Sequence, residues 1–374
     1  MDFKLTELQE LVRKTAREFA ENEVMPIATK IDDEDRIPVE LREKMAKMGW
    51  YSIIVPPEYG GAGADYTSYE TVLMELARAS PGLAFHLGTH MMGVYTILNF
   101  GNEDQKRKYL SQFAEGKISV FMFTEPTTGS DRRMITTKAQ LDGNEYVING
   151  TKRYITNAPL GHIGVVWAKD ESGDLSTFIV EMDRKGVSIG RIEKKMGLKG
   201  FPMSDVIFDN VRIPKENLLG ERGKGFRMLV NSIAAAKLGL SAQCVGIMQA
   251  ALDETINYTK NKVTQGKTLT EFHSTQQMIG EMATKLEAAK WMVFRTAWLK
   301  EQGADIVKDC AMTKLFASTA VVDVVRTAIQ IFGDDGYFKP YKVEQLWRDA
   351  KPFELMEGTS EIQRAIITRG LLSE

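Results

Sequence analysis

Cysteine is scarce in this chain of 374 residues, which contains only Cys244 and Cys310. The two lie far apart in segments of helical pattern, and neither has the spacing of a metal ligand. The sequence therefore predicts neither a disulfide framework nor a cysteine zinc site. The first residues include acids and form neither an apolar signal-peptide core nor an arginine-rich transit peptide. We expect a protein of a reducing compartment, the cytoplasm.

The chain also lacks a strong net charge and a long hydrophobic run. Its formal net charge is −2, which gives no reason to expect a nucleic acid as a partner. No uninterrupted apolar run approaches the roughly 20 residues that a membrane-spanning helix requires, so no membrane partner is expected. The only close histidine pair, His86 and His90, has no evident third ligand in the sequence. Packing is favoured over metal binding for this pair, and no metal is expected.

Proline is absent between Pro214 and Pro340. This long segment is rich in good helix formers, and its apolar residues recur every three or four positions. The pattern predicts three long helices at about 226–258, 276–299 and 306–331, which together form a bundle. The first 118 residues also show helical periodicity, with breakers concentrated in the loop at 56–63.

The middle of the chain has a different pattern. Short β-rich runs are separated by turn signals such as Asp142-Gly143-Asn144, and they lie at 118–123, 146–148, 163–168, 176–181 and 206–208. They predict a small antiparallel β-domain between two helical ones. The predicted fold is α+β, with domains at 1–118, 119–222 and 223–374.

A candidate catalytic carboxylate, Glu357, lies in a break between two helical segments near the C-terminus. Gly358 is suited to end a helix in the left-handed region, and Ser360 to Gln363 has the pattern of a capping box that starts the next helix. A carboxylate held at such a corner is restrained by both helices, as a proton acceptor requires. On this segment alone, an ordinary solvated glutamate remains the commoner interpretation.

Two segments of the β-region are candidate binding loops. Residues 121–131 run from a strand into a glycine-containing loop with several hydroxyl side chains, which could hold a pyrophosphate or a polar ring edge. Residues 150–158 form a strand that carries Tyr154 between polar groups. A plain β-turn and a tyrosine packed in the core are the alternatives. The glycine-rich stretch at 220–225 lacks the Gly-Lys-Ser/Thr ending of a phosphate loop, which favours a simple loop.

The order of these motifs along the chain is more specific than any one of them. Thr124-Glu-Pro-Thr-Thr-Gly-Ser-Asp131 lies in the β-region, Gln330-Ile-Phe-Gly333 ends a long helix, and Glu357-Gly-Thr-Ser-Glu-Ile-Gln363 follows near the C-terminus. With this order and spacing, residues 2–372 resemble the acyl-CoA dehydrogenase family of flavoproteins. The resemblance implies an N-terminal helical domain, a middle β-domain and a C-terminal four-helix bundle.

The resemblance also implies a reaction. It is the FAD-dependent α,β-dehydrogenation of an acyl-CoA thioester, in which Glu357 removes the α-proton and the β-hydride passes to N5 of the flavin. Electrons would then go to an electron-transfer flavoprotein. Some members carry the base on the long helix instead, but residues 233–237 contain no carboxylate, which favours Glu357.

Matching positions imply further site residues. Those implied for the flavin within the same subunit are Phe121, Phe123, Thr124, Ser130, Tyr154, Ile155, Thr156, Thr359 and Glu361. Those implied to reach the FAD of a neighbouring subunit are Lys262, Thr264, Gln330 and Gly333. Those implied for the substrate are Ser130, Lys237 and Gly358. A cofactor shared between subunits requires at least a homodimer, and a homotetramer is expected.

Several positions depart from the family pattern. Tyr154 stands where Trp is usual, Lys262 where Arg is usual, and Gln265 and Asp334 replace an aromatic residue and a glycine. Met356 and Lys237 also stand where Tyr and Arg are frequent. Apart from Tyr154, which the resemblance places on the flavin ring, the departures lie toward the adenosine half of FAD and the substrate end, not around Glu357. Alternatives are therefore an enoyl-CoA reductase, an oxidase that uses O₂, or a flavin-free acyl-CoA-binding homologue. A short, branched or ring-shaped acyl group is compatible with the apolar region at 85–95.

Overall fold

The computed structural model describes residues 4–129, 131 and 134–373. The N-terminal part is helical, as predicted. Its helices are α1 (Glu7–Phe19), α2 (Ala28–Glu34), α3 (Val39–Lys47), α4 (Tyr66–Ala79), α5 (Pro81–Phe100) and α6 (Glu103–Ala114). Side-chain caps set several of their starts. Thr6 and Asn102 form capping boxes with Gln9 and Gln105, and Ser80 accepts from the backbone of Leu83 just ahead of Pro81.

The middle part is built on one eight-stranded sheet. Its strands are β1 (Ser119–Met122), β2 (Lys138–Asp142), β3 (Glu145–Thr156), β4 (Ile163–Lys169), β5 (Leu175–Glu181), β6 (Val187–Ile192), β7 (Met203–Pro214) and β8 (Leu218–Leu219). Their order is β6-β7-β3-β2-β4-β5-β8, with β1 paired to β4. The predicted β-domain is confirmed.

The sheet is mainly antiparallel, as predicted, but two of its strand pairs are parallel. Strand β1 runs parallel to β4, and β2 meets β4 in parallel at Lys138 and Lys169. The hairpin of β2 and β3 lies between β1 and β4 in the chain, which allows β4 to return beside β1 in the same direction. The remaining strand pairs are antiparallel.

The C-terminal part contains the predicted bundle. Its elements are α7 (Gly225–Asn261), the short hairpin β9 (Val263–Thr264) and β10 (Lys267–Thr268), α8 (His273–Glu301), α9 (Val307–Phe332), α10 (Lys342–Ala350) and α11 (Ser360–Leu372). Helix α9 packs against α7, α8, α10 and α11. The three long predicted helices are therefore confirmed, each with ends within about three residues of those expected.

A shared core joins the three parts. Helices α4 and α5 pack against α7, and α5 also packs against β1. The indole of Trp167 on β4 donates a hydrogen bond of 2.9 Å to the carbonyl oxygen of Gly225 at the start of α7.

Two segments, Gly225–Asn261 and Val307–Tyr337, are long and apolar enough to cross a membrane by length and composition alone. In the most apolar 18-residue stretch of each segment, 78% and 50% of the residues, respectively, are buried within the protein.

Candidate active site

The loop before α11 holds Glu357 in an unusual backbone conformation. Glu357 has φ of 54° and Gly358 has φ of 89°, so two consecutive residues lie in the left-handed region. This conformation is uncommon for a residue other than glycine and persists only where neighbouring groups hold it. The ammonium of Lys314 donates to the carbonyl oxygens of Gly358 (2.9 Å) and Glu354 (3.4 Å). These bonds tie the loop to α9.

Gln363 holds the same loop from α11. Its Nε2 donates to the carbonyl oxygens of Glu357 (3.2 Å) and Gly358 (2.6 Å). The predicted capping box from Ser360 to Gln363 is therefore wrong. Thr359 is the N-cap, it makes no side-chain cap, and Ser360 is already the first helical residue. The side-chain amide of Gln363 instead bonds to the carbonyl groups of Glu357 and Gly358, which lie in the turn and have no helical hydrogen bond.

A cavity of about 440 Å³ opens beside this loop. Its walls come from all three parts of the chain: Phe85, Thr89 and Met92 on α5; Phe121, Phe123, Thr124 and Gly129 on β1 and the loop after it; Tyr154, Ile155, Thr156 and Met203 on β3 and β7; Ile233 on α7; and Leu355, Met356, Glu357, Gly358, Thr359 and Ile362. Most residues that the sequence predicted for the flavin within one subunit thus come together around Glu357. Glu361 does not line this cavity and is exposed on α11, and Ser130 lies outside the described residues.

A buried ion pair supports the β-sheet wall of the cavity. Lys152 Nζ lies 2.7 Å from Glu125 Oε1, and both side chains are fully buried. Lys152 also donates to the carbonyl oxygen of Trp167 at 2.6 Å, and Glu125 accepts from the backbones of Thr136 and Thr137. Burial opposes ionisation of Glu125, but the ammonium of Lys152 and these hydrogen bonds outweigh it and lower its pKa to about 2.

Sequence reasoning missed the role of this pair. The sequence marks Glu125 only as part of the Thr-Glu-Pro motif, and no motif singles out Lys152. The sequence feature that could have indicated the pair is Lys152 itself, a charged residue at an inward-facing position of a strand, two residues before Tyr154. The pair connects the loop that carries Thr124 to the strand that carries Tyr154, because Glu125 directly follows Thr124 and Lys152 precedes Tyr154 by two residues on the same strand.

Tyr154 projects from the sheet and is not packed in the core. Its backbone φ is 56°, and the pairing of β3 with β7 shifts register between Lys152 and Ile155. The side chain is 57% exposed and lines the cavity, which excludes the core alternative. A β-bulge of this kind redirects a side chain.

The cavity fits a flat aromatic ring with polar edges. Phe121, Phe123 and Tyr154 provide aromatic surface. The hydroxyls of Thr124 and Thr156 have no hydrogen-bond partner among residues 4–129, 131 and 134–373, so they are available to the edge of a bound ring. An apolar slot with a few placed polar groups is the usual form of a cofactor site.

The histidine pair has the packing role that the sequence favoured. Both rings are fully buried, and burial lowers the pKa of His86 to about 4 and that of His90 to about 3. His86 bonds to Tyr51 Oη (2.8 Å) and Asn157 Oδ1 (2.7 Å), and His90 bonds to the backbone of Tyr51 and of Ser119. All four ring nitrogens are therefore engaged. Within the described part of the chain, no group of three or more His, Cys, Asp or Glu could hold a metal ion.

The remaining predicted residues lie elsewhere. Lys237, only 2% exposed, lines a second cavity of about 530 Å³. Ile233 lines both cavities. The four residues implied for a neighbouring FAD are exposed and do not line the cavity of Glu357; they are Lys262, Thr264, Gln330 and Gly333. Lys262 forms an ion pair of 2.9 Å with Asp335.

Comparison with known proteins agrees with this arrangement along the whole chain. Residues 6–117, 120–211 and 223–372 match the N-terminal, middle and C-terminal domains of acyl-CoA dehydrogenases, respectively. A 3-(aryl)acrylate reductase of Clostridium sporogenes is 40% identical, and a short-chain specific acyl-CoA dehydrogenase of Clostridium acetobutylicum is 39% identical. Each alignment covers 98% of this chain and 99% of the relative.

Two further relatives extend the comparison. The caffeyl-CoA reductase-Etf complex subunit CarC of Acetobacterium woodii is 39% identical, with 99% of both chains covered. The structure of butyryl-CoA dehydrogenase from Megasphaera elsdenii superimposes with a TM-score of 0.97 at 34% identity and full coverage of both chains. The domain order, the cavity and these matches together establish that the chain is a flavoprotein oxidoreductase of the acyl-CoA dehydrogenase family.

Proposed function

We propose that this protein uses FAD to oxidise the α,β-bond of an acyl-CoA thioester, with Glu357 as the base that removes the α-proton. The observation that carries the proposal is the shared cavity. Glu357 contributes to the same cavity as Phe121, Tyr154 and Thr156, which are suited to hold a flavin. A carboxylate and a hydride acceptor on the walls of one apolar cavity can act on adjacent carbons of a substrate between them.

The chemistry follows from the acidity of the substrate. A proton beside a thioester carbonyl is removed easily only when negative charge on the carbonyl oxygen is stabilised as it develops. Glu357 takes this proton, and its position is held by the bonds from Lys314 and Gln363 to the loop backbone. The bound flavin supplies the acceptor for the hydride from the neighbouring carbon. Apolar neighbours such as Phe85, Met92 and Leu355 exclude water from the cavity.

The second cavity suits the coenzyme A part of the substrate. It adjoins the first at Ile233, and Lys237, Lys308 and Arg369 contribute cationic groups to it. Asp309, on the same wall, is ion-paired with Arg295. A long pantetheine arm with phosphate groups needs an extended channel with cations, and the two adjoining cavities provide one.

The reverse reaction is the second candidate function. Relatives named as 3-(aryl)acrylate reductase and as a subunit of a caffeyl-CoA reductase-Etf complex are among the most similar. A base that accepts the α-proton during oxidation donates it during reduction, so Glu357 serves both directions. The name of the CarC relative also supports an electron-transfer flavoprotein as the redox partner.

We infer a homotetramer, or at least a homodimer, in the cytoplasm. The residues implied to reach a neighbouring FAD lie away from the cavity of Glu357 and are exposed, which supports contact with the flavin of another subunit. Aromatic side chains exposed in one chain support an interface; among them are Trp298 (55% exposed), Tyr337 (81%) and Phe338 (59%). Both cysteines are free and buried, as is common in a reducing compartment.

The test is a panel of acyl-CoA esters assayed with the purified protein and a dye acceptor, and a matching panel of enoyl-CoA esters assayed with a reduced dye. Turnover of saturated esters supports the dehydrogenase, and turnover of enoyl esters alone supports the reductase. Rapid reoxidation of the reduced flavin by air with release of peroxide would favour the oxidase. The absence of a flavin absorption band after reconstitution, with no turnover in either panel, would reject the proposal.

A further inference from the structure

A small cavity lined by apolar residues and a few polar side chains lies next to the cavity of Glu357. It has a volume of about 20 Å³, enough for one water-sized group. Its walls are formed by Ile54; by Tyr66, Tyr69 and Glu70 on α4; by Gly88, Met91, Met92 and Tyr95 on α5; and by Ser232, Ala235 and Ala236 on α7. Met92 lines both the cavity of Glu357 and the small cavity. On α7, Ile233 borders the cavity of Glu357 and Ser232 borders the small one. The two spaces therefore adjoin across a methionine side chain.

One carboxyl oxygen of Glu70, a residue that lines this cavity, has no hydrogen-bond partner among the described residues. Glu70 is only 1% exposed, and its Oε2 is fully buried without a hydrogen bond to any described residue. Burial raises the pKa of Glu70 well above its ordinary value, although the charge of Lys300 opposes this. Buried polar groups are nearly always hydrogen-bonded, and an apolar residue on α4 would avoid the cost of desolvation. The carboxyl is therefore suited to a partner that enters the cavity.

The surroundings restrict the chemistry of that partner. Lys300 Nζ donates to Tyr95 Oη at 2.9 Å and lies over the rings of Tyr95 and Tyr66, 4.4 and 4.6 Å from their centroids. The nearby ammonium of Lys300 disfavours a cationic partner, and the burial that disfavours a charged Glu70 disfavours an anionic partner as well. A neutral group that both donates and accepts hydrogen bonds meets both conditions. A hydroxyl group also has the size that the cavity allows.

Access from the larger cavity depends on Met92. Methionine is unbranched and flexible, so its side chain can move aside for a group that extends from the cavity of Glu357 into the small cavity. An acyl group that starts at Glu357 and runs between α5 and α7 would point its far end at this wall, because both helices contribute to both cavities.

We propose that the small cavity binds a hydroxyl group at the far end of the substrate's acyl group, with Glu70 as its hydrogen-bond partner. The inference rests on the proposed function and specifies its substrate class. Hydroxylated acyl groups would be preferred over the same groups without the hydroxyl, because only the former give Glu70 a partner.

The test compares matched esters. One pair is 3-(4-hydroxyphenyl)propionyl-CoA and 3-phenylpropionyl-CoA, and the other is 6-hydroxyhexanoyl-CoA and hexanoyl-CoA. In the wild-type protein, kcat/KM for the hydroxylated member of at least one pair should be roughly tenfold higher or more than for its parent. In Glu70→Leu this ratio should fall to about one. In Glu70→Gln, which keeps the shape and can still form hydrogen bonds, it should be retained at least in part.

The outcomes separate this inference from the proposed function. If the parent esters are oxidised but neither hydroxylated ester is preferred, or the preference survives in Glu70→Leu, the polar subsite is refuted and the proposed function stands. If neither member of either pair is turned over in either direction, the subsite for a hydroxyl group is refuted, and the proposed function is judged by the flavin spectrum and the wider panels of esters. Glu70→Leu removes an unpaired buried carboxyl, so its melting temperature should not fall; a marked loss would show that Glu70 has a structural role instead.

Discussion

Lys314 Nζ lies 2.9 Å from the carbonyl oxygen of Gly358, the residue that directly follows Glu357. The lysine side chain is buried on α9, and burial lowers its pKa, although the thiol of Cys244 and the carboxylate of Glu357 oppose this. A cation in the interior is costly unless it is well bonded, and here it bonds to backbone carbonyls of the loop. Lys314 thus positions Glu357 through the main chain.

Replacing Lys314 by Met should therefore affect turnover more than binding. The variant keeps the volume of the side chain and removes the donor, so the carbonyl of Gly358 keeps only its bond from Gln363 and the carbonyl of Glu354 loses its bond from Lys314, at a cost of about 1 kcal/mol in stability. We expect kcat to fall roughly tenfold or more, with little change in KM or flavin content, because the base loses its fixed position. Steady-state kinetics and the visible spectrum measure these quantities.

The matched control for Lys314→Met is Lys285→Met. Lys285 is half-exposed on α8, where it pairs with Asp323 away from the loop. Its replacement should leave kcat unchanged. An unaltered kcat in Lys314→Met would show that Gln363 alone is sufficient to hold the loop.

Glu357→Gln should abolish most of the activity without removing the flavin. The amide cannot accept the α-proton, so kcat/KM should fall by roughly 10²- to 10⁴-fold or more. The loop bonds from Lys314 and Gln363 reach backbone carbonyls, which the substitution does not alter. Dye reduction with the best ester and the flavin absorbance of the purified variant are the measurements. Glu43→Gln, an exposed position on α3, is the control, and a fully active Glu357→Gln would refute the assignment.

The buried pair of Glu125 and Lys152 predicts a specific sensitivity to acid. The pKa of Glu125 is about 2 in the folded protein, against 4.5 for the ordinary group. A lowered pKa contributes stability at pH values above 4.5, and this contribution is lost as the pH falls from about 4.5 toward 2. Urea unfolding over this pH range should show the free energy of unfolding decreasing more steeply in the wild type than in Glu125→Gln.

Single and double variants show whether the ion pair, and not merely the burial of its two side chains, determines the free energy of unfolding. At pH 7, Glu125→Gln should lose about 3–5 kcal/mol of stability, because it leaves the ammonium of Lys152 buried without its counter-ion. Adding Lys152→Met should recover a large part of this loss. If the double variant is as unstable as the single one, the pair itself is not the source of the effect.

Tyr154 should contribute to retention of the flavin. A backbone bulge exposes its ring to the cavity, and the residue is more than half exposed, so the ring makes few packing contacts within the protein. We expect Tyr154→Ala to weaken flavin binding, which is measured by the ratio of flavin to protein absorbance after dilution and gel filtration. Tyr154→Trp, the residue usual in the family, should retain or strengthen binding. Equal flavin content in all three proteins would mean that the ring does not contact the cofactor.

Local sequence patterns predicted the helices well and the sheet only in part. The long helices were predictable because proline-free segments of good helix formers have a clear period. Strands β2 and β6 were missed, since both expose most of their residues and carry polar groups, as Lys138, Gln140 and Asp142 do in β2. They are strands because they pair with β3 and β7, and no local pattern contains that information.

For the candidate site, the sequence by itself pointed to the family, the candidate base Glu357 and most of the candidate flavin-binding residues, since these are motifs of contiguous residues. Only the tertiary structure decided that Gln363 bonds to the loop of Glu357, that Glu125 and Lys152 are a buried pair, and that Glu70 has an unpaired carboxyl oxygen at a small cavity beside that of Glu357. Spacing along the chain determines which residues can share a face of a helix or strand. Burial and charge pairing depend on segments far apart in the sequence, and they become defined only when those segments pack together.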